Sequence, residues 1–221
     1  MCIRDRGGIA QAAADNIPIL ILLGGNSLDQ ISVKPNFSAV QKYQGWVKQV
    51  EAIYSPTQVG DVMRRAFNAL KNGPPGPVVV EMTSDVCQQE VPAEYQNYKP
   101  LTSSLQVPNG TDIGEAIGLW QKARKPVIWA GAGVLASNGT APLRELAELT
   151  GTPVFCTMPG KSAFDERHPL ALGAGCGTTT RMAHDWLTGS DLIIALGSSL
   201  TRSPYGQKIL PNKLIIHNTI N

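Results

Sequence analysis

Lys125–Gly133 reads K-P-V-I-W-A-G-A-G, and a second segment, Ile193–Ser199, reads I-I-A-L-G-S-S. Each is an apolar run that breaks into a glycine turn. Glycine lets a backbone approach a pyrophosphate closely, and a helix start just beyond adds favourable partial charge. The two turns are expected at one sheet edge, the carboxyl ends of parallel strands, where ligands of open α/β sheets sit. The candidates for cofactor contact are therefore Gly131 and Gly133 in the first turn, and Gly197 and Ser198 in the second. Thr157, Gly160, Gly175 and Gly177 follow another strand, and Asn218 closes the last one. The G-A-G turn is not a full G-x-G-x-x-G fingerprint, because Ala136 stands where the third glycine would fall. A tight strand-to-helix turn without any ligand has the same sequence. Asn218 follows strand Leu214–His217, which is expected to be buried, and could meet a ribose or simply cap that strand.

Acid–base groups are few. His168 lies in D-E-R-H-P, a polar segment suited to capping, and His184 lies on an expected helix beside Asp185 and Trp186. Ser198 and Ser199 lack the G-x-S-x-G context of a nucleophile elbow. Cys176 sits among glycines with no evident activating partner. None of the four cysteines (Cys2, Cys87, Cys156, Cys176) forms a C-x-x-C pair, which argues against structural zinc. Their spacing suits reduced thiols in a cytoplasmic protein.

Recurring strand–turn–helix units must position these groups. Alanine-rich Gly7–Asn16 ends a helix, and Ile19–Leu23 is apolar on both faces, as in a central parallel strand. A short helix is expected near Phe37–Tyr43 and a short strand within Trp46–Ile53. Ser55-Pro56-Thr57-Gln58 is a helix start, with an N-cap serine and proline at the first helical position. Val59, Val62, Met63, Ala66, Phe67 and Leu70 then share one face, and Gly73 ends the helix before strand Pro77–Met82. Residues 87–110 lose periodicity and read as a linker. Beyond it, Asp112 with Glu115 caps a helix whose Ile113, Ala116, Ile117 and Trp120 face inward. Strand Val127–Ala130, helix Thr140–Thr150, strand Val154–Thr157, a long glycine-bearing loop, helix Thr178–Leu187, and strands Leu192–Leu196 and Leu214–His217 complete the second domain. The fold class is α/β, with two parallel-sheet domains. Met1–Arg6 is mostly polar, matches poorly the alanine-rich helix beside it, and is expected to be an artefact.

A composition 43% hydrophobic and 16% charged supports a buried core, and a formal net charge of +2 gives no reason to expect nucleic acid or an anionic membrane as partner. The longest apolar run, Ile17–Leu23, is far below the roughly 20 residues of a membrane-spanning helix.

In order, these motifs resemble thiamine-diphosphate-dependent enzymes of the acetolactate synthase-like group. Gly8-Ile9-Ala10 with A-A-A-D-N-I-P-I-L-I-L-L-G-G is similar to that family's "G-I-A-x-A-x-x-D-x-I-P" segment, and Asn72–Val80 is similar to its "G-x-P-G-P-V" strand, with Thr83 in place of proline before Ser84-Asp85-Val86. K-P-V-I-W-A-G-A-G-V, L-R-E-L-A-E-L-T-G-T-P-V and S-A-F-D-E-R-H-P-L-A-L-G follow the family's central domain phrase by phrase. The resemblance implies the end of a pyrimidine-binding domain (7–86), a linker (87–110) and a Rossmann-like central domain of the NAD/FAD-binding kind (111–221). It implies a 2-oxo acid substrate, thiamine diphosphate and Mg2+ as cofactors, and a homodimer or homotetramer. Phe37 matches an aromatic residue at the family's substrate channel, whereas Ser38 departs from the glutamine beside it. Lys48 matches a lysine that the group often carries. The family's catalytic His-Glu pair and its G-D-G magnesium motif do not occur here, so the chain is expected to be an inactive middle portion with no catalytic residue and no metal site of its own. In flavin-carrying members the loop matching Gly197–Gly206 carries an arginine and aspartates; here it reads G-S-S-L-T-R-S-P-Y-G, without the aspartates, which counts against FAD, and Arg202 could meet a phosphate or simply be an exposed loop arginine. Two alternatives stay open: a non-catalytic module for FAD, ADP or coenzyme A, and a sirtuin-like NAD protein, the latter disfavoured by the missing zinc pairs.

Overall fold

The structure, a computed structural model, describes residues 3–102, 106–202 and 206–220. It divides into two compact units, Met1–Leu105 and Gln106–Asn221.

The first unit contains α1 (Ile3–Ala14), β1 (Leu20–Gly25), α2 (Ala39–Tyr43), β2 (Gln49–Ile53), α3 (Val59–Lys71) and β3 (Val78–Thr83). Its sheet is parallel, in the order β1-β3-β2. The uninterrupted Val78-Val79-Val80 run is fully buried because both faces of β3 are covered. Val79 packs with Ile9, Ala39 and Tyr43, while Val78 and Val80 pack with Val62, Ala66 and Ala69 of α3. The expectation that β1 is central is corrected: it lies at the sheet's edge, and Leu22 is 49% exposed. The helix that covers that face, α3, packs on β2 and β3.

Local chemistry explains the ends of α3. A short 310 turn, Pro56–Gln58, precedes it; Ser55 Oγ accepts the Thr57 amide and Gln58 Oε1 accepts the Tyr54 amide, a reciprocal capping arrangement. At the other end the chain leaves through Gly73 at φ +69°. The Lys48 ammonium donates to the carbonyls of Ala69 and Asn72, satisfying acceptors that a helix end leaves open. The segment after β3 forms 310 turns at Val86–Gln88 and Ala93–Tyr95 and lies along α3, where Tyr98 meets Phe67 and Lys71 donates to the Leu101 carbonyl.

The second unit contains α4 (Gly110–Lys122), β4 (Pro126–Ala130), α5 (Ala132–Ala136), α6 (Thr140–Thr150), β5 (Val154–Thr157), β6 (Ala171–Gly175), α7 (Arg181–Gly189), β7 (Leu192–Leu196) and β8 (Leu214–Asn218). All five strands are parallel, in the order β6-β5-β4-β7-β8. The strand order reverses between β4 and β7, which makes their carboxyl ends the topological switch point of a doubly wound sheet. Alternate residues serve opposite faces. Ile128, Ala130, Val154, Cys156, Leu192 and Ile194 pack with Leu143 and Ala147 of α6. Val127, Trp129, Phe155, Ile193 and Ala195 pack with Ala183 and Leu187 of α7.

Four expectations are corrected in this unit. Ala171–Gly175, expected within a loop, is an edge strand whose glycines hide its periodicity. The cap of α4 is Asn109, whose Oδ1 accepts the Asp112 amide at 2.8 Å, so the helix starts one turn earlier than Asp112. Ile113 and Ile117 are 43% and 51% exposed, and only the end of α4, at Trp120, reaches the core. Strand β8, expected to be buried, pairs on one side only and is exposed at Leu214 and Ile215.

Candidate functional site

The glycine turns meet at the switch point of the second unit. Gly131 donates its amide to the Leu196 carbonyl at 2.9 Å, and Gly133 donates to the Gly197 carbonyl at 2.8 Å. Gly197 donates to the Asn218 carbonyl at 2.8 Å, and Gly160 donates to Thr157, through the carbonyl at 3.0 Å and Oγ1 at 3.1 Å. A Cβ on Gly131 would collide with the Gly197 oxygen, one on Gly133 would lie 2.6 Å from the Gly197 Cα, and one on Gly160 2.7 Å from the Ala130 oxygen. Gly197 adopts φ +61°, where a side chain is strained. The glycines are thus required because three loops pack backbone on backbone. Two of the amides that a G-A-G turn would offer a pyrophosphate, those of Gly131 and Gly133, are given to carbonyls of the protein. The Gly131, Gly133, Gly160 and Gly197 amides are thus engaged within the protein rather than directed at a ligand.

The remaining candidates surround this knot. Ser198 is buried, its Oγ accepts the Leu200 amide, and its carbonyl lies 2.7 Å from His217 Nε2. Asn218 ends β8 opposite Leu196. Gly175 ends β6 with Thr179 close above it, and Gly177 lies in the turn that leads to α7. Cys176 is adjacent, its thiol held below the ordinary range by the hydroxyl and backbone of Thr178. Arg202 is exposed, and residues 203–205 of its loop lie outside the described residues.

His168 is a structural strap. Its Nε2 meets Glu148 at 3.0 Å, its Nδ1 accepts the Leu170 amide at 3.1 Å, and its ring stands edge-on to Phe164. His184 is exposed on α7. Among the described residues no group of three or more His, Cys, Asp and Glu side chains could hold a metal ion.

In the first unit Phe37 packs against the Ala39, Tyr43 and Val79 cluster just before α2. Beside it lies a group that sequence reasoning missed. Glu81 of β3 is only 6% exposed, and its Oε2 accepts the amides of Ala39 at 3.0 Å and Val40 at 3.4 Å. Its Oε1 lies 2.9 Å from where a Cβ on Gly25 would be. The signal was present as a single acidic residue inside V-V-V-E-M-T. Lys48, singled out for its family match, caps α3, and partial burial lowers its pKa.

The family profile described as "Thiamine pyrophosphate enzyme, central domain" matches residues 113–221. The chain is 31% identical over 97% of its length to the "Probable acetolactate synthase large subunit" of Methanocaldococcus jannaschii, of which it covers 38%. It is 30% identical over 93% of its length to the "Glyoxylate carboligase" of Escherichia coli O157:H7, covering 36%, and 31% identical over 96% to the "Acetolactate synthase" of Mycobacterium bovis, covering 35%. The chain therefore spans little more than a third of each relative.

Proposed function

Because this chain belongs to the acetolactate synthase-like thiamine pyrophosphate enzymes, we propose that the protein carrying it decarboxylates or ligates 2-oxo acids with thiamine diphosphate. The observation that supports this reading best is similarity along nearly the whole chain to synthases and a carboligase named for such reactions. We propose further that Mg2+ serves the cofactor, that the intact protein is a homodimer or homotetramer, and that it works in the cytoplasm. Unpaired thiols at Cys87, Cys156 and Cys176 suit that compartment.

The residues of this chain supply no G-D-G motif and no His-Glu pair, and those described form no metal-binding cluster. In this reading the cofactor's diphosphate and its metal are held by other parts of the intact protein, and no chemical step is assigned to this chain. In this reading the electron sink is the cofactor's own. The first unit contributes substrate-facing surface at Phe37. The second unit is a scaffold whose glycines close the switch point by packing.

Calorimetry on the intact protein tests the assignment. Thiamine diphosphate with Mg2+ should bind the intact protein, whereas FAD, ADP and coenzyme A should give no heat with the 221-residue chain. Failure of the intact protein to bind thiamine diphosphate would overturn the reading. Binding of an ADP-containing ligand to this chain would restore the nucleotide-module alternative.

A further inference from the structure

A carboxylate is costly to bury unless its oxygens find donors. Glu81 finds two, the first amides of α2, which as a helix start have no partner of their own within the helix. The side chain crosses from the central strand β3 to α2 and passes over Gly25 of the neighbouring strand β1. A methyl group on Gly25 would stand 2.9 Å from Oε1 and 3.1 Å from Cγ of Glu81, so the glycine leaves room for the carboxylate. Three elements are thereby locked together at the carboxyl end of the sheet: β1 through Gly25, β3 through Glu81, and α2 through Ala39. Phe37 stands two residues before the amide that receives the carboxylate, and it packs on the same cluster. Ser38 caps the same short helix, its side chain accepting the Gln41 amide.

We propose that Glu81 is a positioning residue for the substrate pocket: its carboxylate, seated over Gly25, fixes the first turn of α2 and with it the Phe37 ring. This rests on the reading of Phe37 as substrate-facing. A five-residue helix has little stability of its own. Its placement depends on such tertiary anchors. Removing the acceptor leaves two amide donors unsatisfied where solvent reaches them poorly, which favours a shifted or frayed α2. Phe37 then loses its fixed place, and substrate binding weakens more than the chemical step.

The test uses the intact protein with Glu81→Ala, Glu81→Gln and Gly25→Ala, read in two ways. Amide exchange of the segment 37–43 should quicken by about tenfold or more in Glu81→Ala, as expected for a lost buried acceptor. Glu81→Gln keeps one acceptor oxygen and should stay within about threefold of the parent. Gly25→Ala, which leaves Glu81 intact but displaces its carboxylate, should behave like Glu81→Ala, and the double variant should be no worse than either, because one interaction is lost in each. In turnover, KM for the 2-oxo acid should rise about tenfold in both variants while kcat changes by about twofold or less. Unchanged exchange at 37–43 in both Glu81→Ala and Gly25→Ala would overturn the latch. Faster exchange with unchanged KM would show Glu81 to be merely structural and overturn the positioning role. A parent protein with no thiamine-diphosphate-dependent turnover would refute the functional reading and the substrate half of this proposal, while exchange would still decide the latch.

Discussion

Gly133 donates its amide to the Gly197 carbonyl at 2.8 Å, and a methyl group on either residue would reach within 2.6 Å of the other turn's backbone. The two turns that most resemble a phosphate cradle are one another's packing partners. Gly133→Ala should therefore destabilise the second unit by about 1–3 kcal/mol, the usual cost of overpacking. Gly197→Ala should cost at least as much, because φ +61° adds backbone strain. Urea denaturation followed by tryptophan fluorescence checks both, since Trp129 lies in that unit's core. Wild-type stability in either variant would contradict the packing role.

Lys48 should matter to the stability of the first unit rather than to chemistry. Its ammonium holds the last carbonyls of α3, and its stem covers Gly76. Lys48→Met keeps most of the stem and loses the charged donors, and should cost about 1 kcal/mol, below the roughly 1.5–3 kcal/mol usual for hydrogen bonds to charged groups because the site is partly wet. Hydrogen exchange at the C-terminal turn of α3 should rise with it.

The thiols should separate by reactivity. Burial pushes the Cys156 thiol up to about 11, whereas Cys87 is exposed and Cys176 lies partly open, its pKa lowered by Thr178. The thiolate is the reactive form. Iodoacetamide at neutral pH should label Cys87 and Cys176 in the folded protein and reach Cys156 only after unfolding. The raised pKa also sets a sign. The neutral thiol is favoured in the fold, so its contribution is fully present below the ordinary thiol pKa of 9.0 and is lost as pH rises through about 11. Cys156→Ser should flatten that alkaline loss. Mass spectrometry of labelled peptides and alkaline unfolding curves read the two effects separately.

Strands with a continuous apolar run were legible in the sequence, because burial on both faces writes itself into composition. Val154–Thr157 and Leu192–Leu196 are strands with the expected bounds. Ala171–Gly175 was not, because a glycine-bearing edge strand carries too few large residues to show a period. Position within a sheet is equally hidden: Leu20–Leu23 and Val78–Val80 look alike in sequence, yet only the second is sandwiched. At the site, the glycines were visible as glycines, but sequence could not say whether their open space faced a ligand or another loop. The Glu81 carboxylate was overlooked because its donors, Ala39 and Val40, lie about forty residues away.

Turnover by the intact protein that carries this chain tests the functional account most directly. Incubated with thiamine diphosphate, Mg2+ and either pyruvate or glyoxylate, it should release CO2 and form a carboligated product, and omission of thiamine diphosphate should abolish both. A folded intact protein that consumes neither 2-oxo acid, or does so equally well without thiamine diphosphate, would contradict the account.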